Sequence, residues 1–196
     1  MIQSDASTDN AARRRRAVFL DRDGTLNVDR GYVYRREDFE WIPGAVESIR
    51  RLNESGLPVV VVTNQGGVGH GYYSEADVRA LHRFMTAELA KSGARVDAWY
   101  YCPYHPDSRV EAYRRDDTCR KPNPGMIEAA AAEHGIDVAA SYLVGDKVSD
   151  IEAGRRAGAT TILVRTGYGR EHERAAGADF AVDDISEAVE VILGLR

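Results

Sequence analysis

Four apolar residues, Ala17 to Leu20, run directly into Asp-Arg-Asp-Gly-Thr at positions 21–25. A short apolar run bounded by turn chemistry is the pattern of a strand buried on both faces of a parallel sheet. The carboxyl ends of such strands are where open α/β sheets hold their ligands. Residues two apart in extended chain share a side, so Asp21 and Asp23 can converge on one point. Arg22 between them should point the other way, poorly placed to neutralise both. Two converging carboxylates ask for a cation or a proton, and Gly24 lets the chain turn at once. Alone, two acids after a strand are equally ordinary turn residues; the partners supplied elsewhere decide their meaning.

The same design recurs down the chain. Pro58 to Val62 is a β-branched run ending in Thr63-Asn64-Gln65, and Val96 to Tyr101 reads as a further strand. Ser141 to Val144 ends in Gly145-Asp146, with Lys147 and Asp150 beyond; Thr161 to Val164 and Asp179 to Val182 complete the strands. Between them lie helical patterns. Pro43-Gly44 opens one with Val46, Ile49 and Leu52 on one face, closed by Gly56. Ser74 and Asp77 form a capping pattern before Val78, Leu81, Met85 and Leu89. Pro124-Gly125 opens another through Ile127 and the alanine run, and Ile151 to Ala157 and Ile185 to Leu193 follow. Strands alternating with helices predict a doubly wound α/β parallel sheet with right-handed crossovers.

Three long connections fall outside this regularity. Asn27 to Phe39 carries Asp29, Arg30, Gly31, Tyr32 and Tyr34 just beyond the acid pair. Gly66, Gly67, Gly69 and Gly71 form a loop whose backbone can approach an anion or simply turn. Cys102 to Cys119 is polar and proline-bearing, long enough for a functional loop.

Bulk properties narrow the function class. With 196 residues, 43% of them hydrophobic, the chain predicts one domain over 17–196 behind a polar, disordered tail over 1–16. The net charge of −5 argues against a general nucleic-acid binder. Arg13 to Arg16 read either as a solvated charge run or as a contact for nucleic acid or anionic lipid. No apolar run approaches the roughly 18–20 residues of a membrane span, and the N-terminus lacks the apolar stretch of a signal peptide. A cytoplasmic protein with no membrane or nucleic-acid partner, in monomeric form, is expected. Two cysteines are too few for a disulfide scaffold.

Three strand ends thus carry Asp21/Asp23, Thr63/Asn64 and Asp146/Asp150, with Lys121 near the start of a helix. Carboxylates suit Mg²⁺, and a lysine with a threonine hydroxyl suits a phosphoryl group. A nucleophilic acid, a metal and fixed donors are what phosphoryl transfer needs. In order, FLDRDGTLN, VVTNQ, the Lys of RKPNPGM and VGDKVSD resemble the four motifs of haloacid dehalogenase (HAD)-type phosphatases from Ala17 to about Val182. That resemblance implies a Rossmann-like fold, with Asp21 as nucleophile and Asp23 as general acid and then base. It further implies that Thr63 and Lys121 stabilise the phosphoryl group. A Mg²⁺ would be held by Asp21, the Asp23 main-chain carbonyl and Asp146. The short intervals between motifs leave little room for a separate cap domain, so selectivity falls to the loops.

TNQGGVGHGYY, CPYHP and CRKPNPGM look like the branch of the family that acts on heptose bisphosphates. The histidinol-phosphate phosphatase branch is a close alternative, and a non-catalytic phosphosugar-binding protein a more distant one. The heptose resemblance implies a small-molecule sugar bisphosphate as partner. It would be contacted by Asp29, Arg30, Gly31, Tyr32, Thr63, Asn64, Gln65, Gly66, Arg120, Lys121 and Lys147. Arg120 is the expected cation for the non-reacting phosphate; Lys147 fits either a substrate contact or a structural ion pair. Relatives commonly hold zinc in a Cys-x-His … Cys-x-Cys pattern, where this chain has Cys102, Tyr104, Asp117 and Cys119. With the adjacent His105 swung in, Cys102, His105, Asp117 and Cys119 would make a degraded zinc site. The competing expectations are a loop held by its own packing, or free buried thiols.

Overall fold

The computed structural model describes residues 15–194. Six strands, β1 (Val18–Leu20), β2 (Val59–Asn64), β3 (Ala98–Cys102), β4 (Tyr142–Gly145), β5 (Thr160–Val164) and β6 (Phe180–Val182), form one sheet in the order β3-β2-β1-β4-β5-β6. Every pairing is parallel, with Leu20 opposite Val61 on one side and Val144 on the other. The order reverses direction between β1 and β4. Such a switch point opens a crevice at the carboxyl ends of the strands.

Six helices flank the sheet: α1 (Ala45–Glu54), α2 (Glu75–Lys91), α3 (Gly125–His134), α4 (Val148–Ala157), α5 (Gly169–Ala176) and α6 (Ile185–Ile192). Alternate strand residues feed two apolar layers. Val18, Leu20, Val59, Val61, Val144 and Ile162 pack with Ile49 and Leu52 of α1 and Ile185 and Val189 of α6. Phe19, Val60, Val62 and Leu143 pack on the opposite face with Met126, Ile127 and Ala130 of α3. Both faces are dry, which is why the strand sequences are continuously apolar rather than alternating. Each fully buried Val or Leu contributes about 1.5–3 kcal/mol of transfer free energy.

Of two helix starts, one matches the sequence expectation and the other departs from it. At α2, Ser74 Oγ accepts from the Asp77 N–H and Asp77 Oδ2 accepts from the Ser74 N–H at 2.8 Å, the capping box as expected. At α4, Asp150 accepts from the Lys147 N–H at 2.9 Å. Asp150 therefore sits in the first turn, and α4 begins at Val148, not Ile151. Helix α5 was not expected at all: Gly-Arg-Glu-His-Glu-Arg-Ala-Ala has no apolar period, and only Gly169 and Ala176 are buried.

The connections between β1 and α1, β2 and α2, and β3 and α3 contain only 3₁₀ turns at Arg36–Asp38 and Glu111–Tyr113, and no inserted domain. The tail expected over 1–16 lies outside the described residues except for Arg15 and Arg16. Arg15 already belongs to the fold, bonded through its N–H to Gly135 and its carbonyl to Asp137. Arg13 and Arg14 also lie outside the described residues. No helix among the described residues is long and apolar enough to cross a membrane.

Candidate active site

A cavity of about 390 Å³ opens at the carboxyl ends of β1 and β2 beside the switch point, lined by residues that include Asp21, Asp23, Thr63 and Lys121. Asp21 follows β1 and is 5% exposed. Its Oδ1 accepts from Lys121 Nζ at 2.7 Å. Lys121 is itself buried, and its ammonium also donates to the Val62 carbonyl at 2.8 Å and pairs with Asp150 at 2.7 Å. A buried ammonium would ordinarily lose its proton; the Asp150 and Asp21 carboxylates outweigh burial and hold Lys121 above its usual range. Lys121 therefore enters as a cation. The Lys121–Pro122 peptide bond is cis. The Asn64 side-chain amide fixes this turn, donating to the Lys121 carbonyl and accepting from the Lys121 N–H, each at 3.0 Å.

Asp146 lies beneath the cavity, fully buried at the end of β4. Its Oδ2 accepts from the Tyr168 N–H at 2.9 Å, and its Oδ1 has no hydrogen-bond partner. Carboxylate oxygens of Asp21, Asp146 and Asp150 all lie within 4.8 Å of one another. Burial, then the Asp150 and Asp21 charges, push the Asp146 carboxyl up to about 8. Burial likewise raises Asp21 despite Lys121. Three buried acids stand beside Lys121 and near Lys147, whose ammonium is bound to Asp29, and one oxygen is orphaned, so the site is short of positive charge. Asp150 already directs its two oxygens to Lys121 and to the Lys147 N–H. The unmet demand is therefore at Asp21 and Asp146, and an all-oxygen donor set fits Mg²⁺.

Two glycines make this arrangement possible. A Cβ on Gly24 (φ +91°) or on Gly167 (φ +54°) would stand 2.2 Å from Asp146 Oδ2. The carboxylate is clamped between two backbones that only glycine allows so close.

The Asp23 carboxylate is paired within its own turn. Arg22, fully buried, folds back beside it: Nε and Nη2 reach Asp23 Oδ1 at 3.2 and 2.9 Å, and Nη2 reaches Oδ2 at 2.8 Å. Asn27 Nδ2 and Gln65 Nε2 each donate to Asp23 at 3.0 Å. The expectation that Arg22 points away and cannot neutralise the pair thus fails for Asp23. The turn at 21–25 wraps the chain, so the period of two holds only to the end of β1.

Of the expected substrate contacts, Asp29, Gly31, Tyr32, Thr63, Asn64, Gln65, Gly66 and Lys147 line the cavity. Lys147 Nζ donates to Asp29 Oδ2 at 2.9 Å and lies 4.9 Å from the centre of the Tyr168 ring. Burial opposes the Asp29 charge, but Lys147 wins and holds that carboxyl below its ordinary range. Tyr32, half-exposed at the mouth, takes a left-handed φ of 56°; strain of this kind in a non-glycine residue concentrates at functional sites. Arg30 does not line the cavity and pairs with Glu40 on the surface. Arg120 stands outside the lining, donating to the Tyr104 carbonyl at 3.1 Å beside Gly66 and His105.

A family model described as HAD-hydrolase-like matches residues 118–188. The D-glycero-beta-D-manno-heptose-1,7-bisphosphate 7-phosphatase of Escherichia coli (strain K12) is 43% identical over 177 residues, covering 90% of this chain and 93% of that one. The chain belongs to the HAD phosphatase family. The enzyme of the same name from Photorhabdus laumondii is 40% identical to this HAD phosphatase, covering 92% of this chain and 96% of its own. The solved structure of D,D-heptose 1,7-bisphosphate phosphatase from B. bronchiseptica, complexed with magnesium and phosphate, matches with a TM-score of 0.83 at 34% identity. It covers 92% of this chain and 99% of that one. The chain is thus a phosphoric monoester hydrolase.

Two features of this HAD phosphatase escaped the sequence reading. Tyr73, Ser149 and Tyr168 line the cavity; the signal for Tyr168 was its place between two glycines just past β5. The pairing of the two cysteines is the other. Cys102 and Cys119 are joined in a disulfide with Cα atoms 5.5 Å apart. Their sulfurs lie within reach of an Asp117 carboxylate oxygen, but bonded sulfurs are not thiolates and cannot ligate zinc. Asp117 accepts instead from the Cys119 N–H and pairs with Arg115. His105 turns toward His70, ring centres 5.1 Å apart, and its Nδ1 accepts from the Asp107 N–H. The thiols are also not free, as the alternative expectation had them.

Proposed function

We propose that this phosphatase removes the 7-phosphate of D-glycero-D-manno-heptose 1,7-bisphosphate through an aspartyl-phosphate on Asp21. The substrate is that of the relatives at 40–43% identity, by their names. The observation that carries the chemistry is Asp21 at the cavity floor, one oxygen held at 2.7 Å by a charged Lys121. That bond orients the carboxylate and leaves a cation where the negative phosphoryl group must arrive.

In the first step an Asp21 oxygen forms a bond to phosphorus. The bond from phosphorus to the sugar oxygen breaks, and Asp23 gives the departing alkoxide its proton. In the second, Asp23 takes a proton from water as the water oxygen attacks phosphorus. The Asp21–phosphorus bond breaks and inorganic phosphate leaves. The Arg22, Asn27 and Gln65 hydrogen bonds keep the Asp23 carboxyl in one plane for both transfers. Thr63 and Lys121 donate to the phosphoryl oxygens. Asp21, Asp146 and the Asp23 main-chain carbonyl would hold Mg²⁺, which supplies charge neutralisation for the phosphoryl group.

The loops supply selectivity, since the cavity carries no cap. Tyr32, Gly31 and Asp29 face the sugar, Lys147 lies across from them, and Arg120 at the rim takes the phosphate that does not react. The enzyme works as a cytoplasmic monomer in the making of heptose precursors for surface glycans. Relative kcat/KM values on both anomers of heptose 1,7-bisphosphate, histidinol phosphate and fructose 1,6-bisphosphate test the assignment. One heptose anomer should lead every other compound by at least about tenfold; histidinol phosphate in first place overturns it.

A further inference from the structure

Gln65 is 1% exposed, and its amide is the hinge between two groups of the proposed mechanism. Its Nε2 donates to Asp23 Oδ2 and to Thr63 Oγ1, each at 3.0 Å. A primary amide is nearly symmetric in shape, so packing alone does not tell its nitrogen from its oxygen. With the amide turned over, an acceptor would face two oxygens that here receive hydrogen bonds. Those two bonds favour the orientation from one end of the amide, and a third contact secures the other end. The Tyr73 hydroxyl donates to Gln65 Oε1 at 2.7 Å. Burial raises Tyr73 above its ordinary range, so the hydroxyl keeps its proton and remains a donor.

The ring that carries this hydroxyl is itself fixed. Tyr34 stacks on one side at 4.8 Å between ring centres and 18° between planes. The Gly67 backbone closes against the ring so tightly that a Cβ there would stand 2.2 Å from it.

We propose that Tyr73 is a positioning residue that locks the Gln65 amide with its nitrogen toward Asp23, and so aims Asp23 at the leaving oxygen. This rests on the reading of Asp23 as general acid. Without the hydroxyl, a buried Oε1 has lost its donor, and only the two bonds from Nε2 still hold the amide against rotation. A turned amide sets Oε1 against Asp23, where it captures the proton meant for the leaving group.

The consequence is selective. A sugar alkoxide is a poor leaving group and needs its proton; a nitrophenolate leaves without one. The ratio of kcat/KM on heptose 1,7-bisphosphate to kcat/KM on p-nitrophenyl phosphate therefore reports proton delivery. It does not depend on how much of the variant is folded. It also excludes the later hydrolysis step, which both substrates share. General acid catalysis is worth about 10²–10⁴-fold, so Asp23→Asn should lower the ratio by about a hundredfold or more. Tyr73→Phe should lower it by about tenfold. An unchanged ratio in Tyr73→Phe, beside a collapsed ratio in Asp23→Asn, overturns the positioning role and leaves the general acid standing. An unchanged ratio in Asp23→Asn removes the general acid and the inference with it.

Discussion

Replacing Gly24 with alanine tests how tightly the Asp146 carboxylate is built into the backbone. Two costs and one gain combine. A Cβ at φ +91° carries the left-handed penalty of about 1–2 kcal/mol. Restricting the unfolded chain returns about 0.4–1 kcal/mol. The new Cβ would stand 2.2 Å from Asp146 Oδ2, so the carboxylate must move. Gly167 blocks it on the other side, and the bond from the Tyr168 N–H at 2.9 Å is lost. Leaving these buried groups without their partner costs about 1–3 kcal/mol. The net loss is about 1–4.5 kcal/mol, centred near 3. Gly56→Ala is the control, because Gly56 has φ +78° and nothing within 4 Å of its would-be Cβ. That variant should lose no more than about 1.5 kcal/mol. Urea denaturation with linear extrapolation measures both. Mg²⁺ added to each variant should raise stability less for Gly24→Ala than for Gly56→Ala. Equal losses in the two variants, with equal response to Mg²⁺, would refute the clamp.

Two further outcomes follow from groups outside the cavity floor. Burial, and then the Arg22 charge, push His82 down to about 3. Below its ordinary value near 6.5 the unfolded chain takes up a proton that the folded state refuses. Its contribution is therefore intact above about pH 6.5 and is lost as pH falls toward 3, by about 2 kcal/mol at pH 5. The stability difference between wild type and His82→Gln should shift by that amount between pH 7 and pH 5; a constant difference contradicts it. The Cys102–Cys119 bridge spans 17 positions, for which the chain-entropy model gives about 3 kcal/mol. A reductant should lower stability by roughly that much in wild type and not in Cys102→Ser; an identical response in both would mean that the thiols are not paired.

The elements legible in the sequence were those whose own residues carry the pattern. Val18 to Leu20 and Val59 to Val62 are buried on both faces, so their apolar runs read directly as inner strands. The α2 cap is local, three residues apart, and was visible for that reason. Helix α5 was invisible because tertiary contacts at Gly169 and Ala176, rather than an apolar stripe, hold it. At the site, the order of Asp21, Thr63, Lys121 and Asp146 was readable because each lies at the end of a strand or shortly ahead of a helix. What Arg22 does was not readable: its reversal toward Asp23 depends on the turn at Gly24 and on the buried Val33 carbonyl, which accepts from Nη2 at 2.7 Å. Nor could the sequence show that Gln65 bridges Asp23, Thr63 and Tyr73, since one contact joins residues 42 positions apart and another depends on how the glycine loop closes. The cysteine pair stayed open between metal ligands, a packed loop and free thiols for a related reason. Spacing in the chain suggested metal ligands, whereas the fold brings the two sulfurs into bonding distance and turns His105 away.

The central claim is that Asp21 becomes covalently phosphorylated during turnover. Acid-quenched samples taken in the first turnovers with heptose 1,7-bisphosphate and Mg²⁺, digested and analysed by mass spectrometry, test it most directly. The account predicts one phosphoryl group on the peptide carrying Asp21, and none in Asp21→Asn, which stays folded but does not turn over. Product formation by Asp21→Asn at a rate near that of wild type, with no phosphorylated peptide in either protein, would contradict it.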